Sequence, residues 1–142
     1  DMMEYKRWGE RLVLRLDPGE EVGECLLEVG RKEDIRLAEI SGLGAASLVE
    51  LGMFDTETKG FTEACYQGTY EIASITGSIT RLDGEPYLHV HMVIGNLDRG
   101  ECHGGHMIRA VISATAEIFV NIISGQVERK MNEEIGLHLF DL

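Results

Sequence analysis

The sequence predicts an α+β fold: a mostly antiparallel, strongly twisted β-sheet with one or two short helices. The 17 glycines of the 142-residue chain are dispersed at the ends of apolar runs, which is typical of many short strands joined by tight turns. Stretches such as RLVLRL at residues 11–16 alternate with the period of a half-buried strand. By contrast, helical periodicity is clear only in the segment that follows Asp17.

That segment, DPGEEVGECLLEVGRK, predicts a helix that packs on the core. Asp17 is placed to cap its N-terminus, Pro18 suits its first position, and Glu20 stands three residues after the cap. Gly30 suits the position just beyond the C-terminus. The apolar residues between these ends recur with helical spacing, at Val22, Cys25, Leu26 and Val29.

The remaining segments each read as a strand or a strand pair, beginning with IRLAEISG and ASLVELGMFD. We therefore predict a single domain over residues 1–142, which is an ordinary length for one compact domain. Its core is expected at about 8–130, with a C-terminal strand segment at about 131–142.

Composition disfavours several classes of function. The 13 Lys and Arg against 25 Asp and Glu leave a net charge of −12, and an acidic field opposes the phosphate contacts that dominate nucleic-acid affinity. DNA binding is therefore not expected without a basic partner. No apolar run is long enough for a membrane span. The three cysteines are scattered and the N-terminal region has no signal-peptide pattern, so a cytoplasmic location is expected.

Asp83-Gly84 lies between two alternating runs and is a strong hairpin signal. If these two residues form the turn, Leu82 pairs with Glu85. One face of the hairpin then has only apolar residues or glycine, because the pairs on it are Ile79–Leu88, Gly77–Val90, Ile75–Met92 and Ala73–Ile94. A slip by one residue would mix the two faces, which supports this register.

The other face of the hairpin is polar and holds two histidines. The register pairs Ser78 with His89 and Thr76 with His91, so the two histidines lie about 6.5–7 Å apart along one strand. A later strand repeats the pattern, with Ser113, Thr115, Glu117, Phe119 and Asn121 opposite the apolar Ile112, Ala114, Ala116, Ile118 and Val120. Hydroxyls and imidazoles without lysine favour a pocket or a subunit interface over a solvent-facing surface.

Two histidines at i and i+2 of a strand can bind one metal ion if a neighbouring strand supplies a third ligand. The candidates lie in ECHGGHM, where His103 and His106 differ by three positions and face opposite ways in a regular strand. Spacing alone leaves the choice between them open. The alternative is that the histidines only form hydrogen bonds with Ser and Thr neighbours. His138 belongs to a separate segment and is expected in a core or interface strand.

Three stretches, taken together and in order, resemble the plant and prokaryote conserved (PPC) domain of the stand-alone prokaryotic type, which is often labelled DNA-binding. They are SGLGAASLVELGMFD, YEIASITGSITRLDGEPYLHVHMVIGN and GGHMIRAVISATAEIFV, and the likeness covers nearly the whole chain. The specific parts are S-G-x-G-A, E-I-x-S-x-x-G, H-x-H, and G-G-H followed by T-A-E. SGLGAAS fits no phosphate-binding motif, so we assign Gly42 and Gly44 to tight strand-to-strand geometry.

The resemblance implies a homotrimer and a metal site, for which zinc is the first expectation. The family's metal-binding trio maps onto His89, His91 and His106, while His103, Thr76 and Ser78 are possible accessory residues. Glu117, in the T-A-E motif, is a candidate acid/base group or a residue that orients a ligand. A structural carboxylate at an interface is an equally good interpretation of it.

Three functions stay open at this point. The first is a metal-binding homotrimer that takes a small-molecule or protein ligand. The second is a regulatory DNA-binding module without catalysis, although the chain has no R-G-R-P motif like the AT-hook that plant members of the family carry. The third is a zinc-dependent lyase-like enzyme acting on a small metabolite, since the domain also resembles the fold of acetolactate decarboxylase, a three-histidine zinc enzyme.

Overall fold

The computed structural model describes residues 3–142, which form one eight-stranded sheet and one helix. The helix α1 spans Val22–Lys32. The strands are β1 (Glu4–Trp8), β2 (Arg11–Leu16), β3 (Ala38–Asp55), β4 (Gly60–Leu82), β5 (Glu85–Asn96), β6 (Glu101–Ile122), β7 (Glu128–Asn132) and β8 (Leu137–Asp141). Every pairing is antiparallel except one short parallel contact between β4 and β7. The predicted α+β fold is confirmed.

Four long strands close on one another. β3 pairs with β4, β4 with β5, β5 with the first residues of β6, and the rest of β6 returns to β3. Several segments that were predicted as separate strands join into continuous strands. Where a turn was expected between them, the structure has only a shift in the strand register. Gly42 lies against β6 so closely that an added Cβ would stand 2.6 Å from the carbonyl oxygen of Glu117, which confirms the tight geometry predicted there.

The helix begins later and ends later than predicted. Glu21, not Asp17, is the N-cap, because its carboxylate accepts the backbone N–H groups of Gly23 and Glu24. The helix continues through Gly30, where an added Cβ would lie 3.3 Å from Pro86 of β5. Gly30 therefore provides close packing within the helix, and the left-handed residue Asp34 follows the actual end.

The core lies between α1 and the inner face of the closed sheet. The predicted apolar faces of β4, β5 and β6 are largely buried there, together with the stripe of α1 formed by Val22, Cys25, Leu26 and Val29. Ala114 is an exception: it is exposed, because the β3–β6 register shifts between Ala116 and Ile112. Among residues 3–142, Thr80 is the only buried polar residue.

The C-terminal hairpin of β7 and β8 covers one end of the sheet's outer face. The Arg129 side chain reaches from β7 to the hydroxyl of Thr80 on β4, at 2.9 Å. This arrangement leaves the other end of the outer face open, around Thr76 and His91. All three cysteines are free. No helix in residues 3–142 is long and apolar enough to span a membrane.

Candidate metal centre

The predicted hairpin register holds from the turn to Ser74. Asp83 and Gly84 both have positive φ, 52° and 82°, as a type I′ turn requires. Ser78 pairs with His89 and Thr76 with His91. The prediction was wrong only at the far end, where Ile72 and not Ala73 pairs with Ile94, because the register shifts between Ile72 and Ser74.

Cross-strand pairing brings the third histidine, His106, next to His91. His91 on β5 is the register partner of His106 on β6, and paired residues of antiparallel strands point their side chains to the same face. Gly105 allows β6 to approach β3 closely, since an added Cβ there would stand 2.7 Å from the Gly52 carbonyl oxygen. The register runs without a shift from Glu101 to His106, so the GG pair forms no bulge.

His89, His91 and His106 form one compact cluster. One potential ligand nitrogen from each residue lies within 4.8 Å of the other two. The ring centroids are 4.2 Å apart for His91 and His106, and 5.1–5.2 Å apart for the pairs that include His89. His91 is exposed, while the other two are half-buried.

The electrostatic environment favours the neutral form of His89 and His106. Burial, followed by the nearby His106, His91 and Arg129, lowers the pKa of His89. Burial and His91 lower the pKa of His106 in the same direction. Because a neutral imidazole offers a lone pair and a protonated one does not, the lowered pKa values favour metal ligation.

The residues fit a divalent cation. Nε2 of His89 is buried and has no hydrogen-bond partner within the described residues, which is costly unless something binds it. Three clustered imidazole nitrogens are the donor set of many catalytic zinc sites, in which the zinc–nitrogen distance is about 2.0–2.1 Å. His89, His91 and His106 would hold the ion, and the ion would supply a Lewis acid at this point.

The predicted accessory hydroxyls lie beside the cluster and are already hydrogen-bonded. The Thr76 hydroxyl lies 3.0 Å from that of Ser74, and Ser78 lies 3.5 Å from Nη2 of Arg129. Glu117 is not brought to the cluster. Glu117 is exposed, and its register partners on the neighbouring strands are Arg15 and Leu43. It is eleven residues from His106, which is roughly 35 Å along β6.

His103 faces away from the cluster and belongs to a separate polar network. It pairs with Ile94, stacks on Tyr66 at 4.0 Å and contacts Glu101 at 3.1 Å. Glu101 also accepts a hydrogen bond from Tyr70 and forms a salt bridge with Arg99. Hydrogen bonds from Tyr70 and His103 lower the Glu101 pKa. His103 and His106 are three positions apart on β6, so their side chains lie on opposite faces of the sheet and only His106 joins the cluster.

Several residues that lie next to the cluster were not predicted from the sequence to be there. Phe61 packs edge-on against His106 at 5.4 Å, and Tyr87 and Arg129 lie on the His89 side. His138, assigned to a core or interface strand, is in β8 and shares a cavity with His89 and His106. No local motif marks these residues, because they come from strands distant in sequence.

The fold and the site together define a class of protein. It is an α+β domain with three clustered histidines on the outer face of its sheet. The model of a family described as the Plants and Prokaryotes Conserved (PCC) domain matches residues 3–124. The chain belongs to this family, as its motifs predicted. A comparison with curated proteins gave no match.

Solved structures agree with this assignment. A proposed DNA-binding protein from Bacteroides thetaiotaomicron is 26% identical, with a TM-score of 0.94 over 99% of this chain and 98% of that one. A metal-containing protein from Archaeoglobus fulgidus is 31% identical, with a TM-score of 0.88 over 100% and 99%. Acetolactate decarboxylase from Bacillus subtilis is 13% identical, with a TM-score of 0.59 over 87% and 57%, and shares the fold alone.

The lowered pKa values of His89 and His106 predict that the metal-free protein loses stability in mild acid. Below about pH 6.5 the unfolded chain binds protons at these residues while the folded chain resists them. The associated stability is fully present above pH 6.5 and is lost as pH falls through the lowered pKa values. Urea unfolding of chelator-treated protein between pH 7.5 and 5 measures this slope.

A His89→Gln/His106→Gln variant is the comparison for this measurement, and its slope between pH 7 and 5.5 should be shallower than that of the wild type. A variant that keeps the full slope would show that the carboxylates, not these imidazoles, set the pH dependence.

Proposed function

We propose that this protein is a metal-binding homotrimer that holds a divalent cation, zinc in the first place, through His89, His91 and His106. The observation that carries the proposal is the cluster of three ligand nitrogens within 4.8 Å of one another, together with a buried, unpartnered ring nitrogen on His89. The metal-containing relative from Archaeoglobus fulgidus supports it. A cytoplasmic location is part of the same proposal.

The proposed centre is open to a ligand. His91 is exposed and a cavity adjoins His89 and His106, whereas a structural zinc site has four protein ligands and no open position. An open position suits a Lewis acid that polarises a carbonyl or activates water. This supports a lyase-like activity on a small metabolite as the second candidate function, with no role for Glu117 in the same chain.

DNA binding, the function proposed for the Bacteroides relative, is less well supported. The net charge of −12 opposes binding to phosphates. Within residues 3–142, most arginines have carboxylate partners, including Arg7, Arg15, Arg81 and Arg99. A basic partner protein would have to supply the missing positive charge.

The uncovered outer face of the sheet supports a homo-oligomer, and the choice of a trimer rests on the family resemblance. Strand register places Val13, Phe119, Ser41, Thr76 and His91 in one row across five strands. Phe119 is 48% exposed and Val13 is 36% exposed. An apolar patch that continues into a polar site is typical of a surface covered by a partner. A partner on this face would also lie next to His91.

Removing the histidine ligands should remove the metal. In protein purified without chelator, elemental analysis is expected to give about one zinc per chain for the wild type, and near zero for His89→Ala/His91→Ala. His103→Ala is the matched control, because this histidine faces the other side of β6, and it should retain the metal. Equal metal content in the wild type and the double variant would contradict the proposed centre.

A charge on the outer face should break the trimer. Light scattering after gel filtration is expected to give about 47 kDa for the wild type, three times the 15.8-kDa chain. Phe119→Glu should shift the mass toward the single chain, since burying an unpaired carboxylate is costly. Leu97→Glu is the control, because Leu97 is exposed in the turn before β6. A wild type that runs as a monomer or dimer would rule out the trimer.

A further inference from the structure

A cavity of about 170 Å³ adjoins the histidine cluster on the side of the C-terminal hairpin. Its floor includes His89 and His106, and β7 and β8 close it with Arg129 and His138. The remaining wall is mostly apolar, with Phe61 and Leu139 among its residues. The space accommodates a small organic molecule, not just one water. The hairpin lies after residue 124, beyond the part that the family model matches.

Arg129 brings a positive charge into this cavity without a carboxylate to balance it. Its guanidinium donates to the Thr80 hydroxyl at 2.9 Å, the His138 carbonyl at 3.1 Å and the Ser78 hydroxyl at 3.5 Å, all neutral groups. Within residues 3–142, no acidic oxygen lies within 4.0 Å of it. Burial lowers the pKa of Arg129, but an arginine stays charged in proteins.

The position of this guanidinium is well defined. It lies 4.8 Å from the ring centroid of Tyr87 and 4.4 Å from that of Phe140, a cation–π arrangement that orients its plane. An arginine has five N–H groups, and the three contacts leave two of them for a ligand. A half-buried, oriented and unneutralised guanidinium matches the fork geometry that carboxylates bind.

Two buried ring nitrogens on the same cavity also have no partner within the described residues. They are Nε2 of His89 and Nδ1 of His138, and both residues line the cavity. His89 belongs to the proposed metal centre, whereas His138 is in β8 and outside the histidine cluster. Because buried polar groups in native proteins are usually satisfied, these two nitrogens are exceptions beside the cavity.

We propose that this cavity binds a small monocarboxylate, with its carboxylate on Arg129 and its other end directed toward His89 and His106. The contact with Arg129 stands alone, whereas the contact at the histidine end rests on the proposed metal centre. One guanidinium balances one carboxylate but not a doubly charged phosphate, and the net charge of −12 disfavours more highly charged anions. The apolar wall suits a short hydrocarbon substituent.

The test uses lactate as the probe and propane-1,2-diol as its uncharged counterpart. In the wild type, an NMR titration of the arginine Nε–H signals should show a saturable shift of Arg129 with lactate and none with the diol. Inorganic phosphate should bind more weakly than lactate. Arg129→Gln should weaken lactate binding tenfold or more, measured by calorimetry. Arg11→Gln removes an exposed arginine on β2 and should bind lactate as the wild type does.

Arg129→Gln also removes the tether to Thr80, so a detached hairpin is a second explanation for weaker binding. Arg129→Lys is the control for this effect. It keeps the charge but not the fork of N–H groups, and it should bind lactate with intermediate affinity. Binding of the diol as tight as that of lactate, or no Arg129 shift in the wild type, would overturn the proposal.

The titration is run on both metal-free and zinc-loaded protein, which separates the two proposals. A lactate shift at Arg129 in a protein that binds no zinc would refute the metal centre and support the carboxylate site. Zinc retention without any Arg129 shift would do the reverse.

Discussion

The candidate site depends on the pairing of His91 with His106 across β5 and β6. Paired residues on antiparallel strands hold their Cβ atoms about 4.5–5.5 Å apart, so this pairing brings two imidazoles together without any loop. His89 joins them because it is two residues from His91 on the same face of β5. A slip of one residue in the β5–β6 pairing would put His106 on the face opposite to His91.

The site also depends on how the two faces of the sheet differ. The inner face is apolar and packs against α1, whereas the outer face has hydroxyls and imidazoles. The β7–β8 hairpin covers one end of the outer face and adds Arg129 beside the histidines. The other end is open around His91 and continues into Phe119. The same face therefore provides the proposed metal centre, the proposed carboxylate pocket and the proposed subunit contact.

The sequence predicted the parts of this arrangement that local rules control. Asp83-Gly84 selects its turn, and strand alternation then assigns His89 and His91 to one face. Spacing alone could not choose His106 over His103, because that choice depends on which residue of β6 stands opposite His91. The family resemblance supplied it. Glu117 followed the parity rule but stands far along β6, since parity defines a face and not a distance.

Other features depend on contacts between distant segments and carried no local signal. The capping residue of α1 is Glu21, whose carboxylate also accepts the backbone N–H of Ala110 on β6, so tertiary structure shifts the helix start from Asp17. Gly30 looked like a helix terminator but packs on Pro86. Arg129 stands in an ordinary charged stretch of sequence, and only the folded hairpin places it in the cavity.

The central claim is that three imidazoles of one chain bind one ion. X-ray absorption at the zinc edge of the zinc-loaded protein tests it most directly, since zinc–nitrogen and zinc–sulfur distances differ clearly. The account predicts about three imidazole nitrogens at about 2.0–2.1 Å, with the outer-shell scattering of histidine rings. A sulfur ligand at about 2.3 Å, or a shell of oxygens without imidazole, would contradict it.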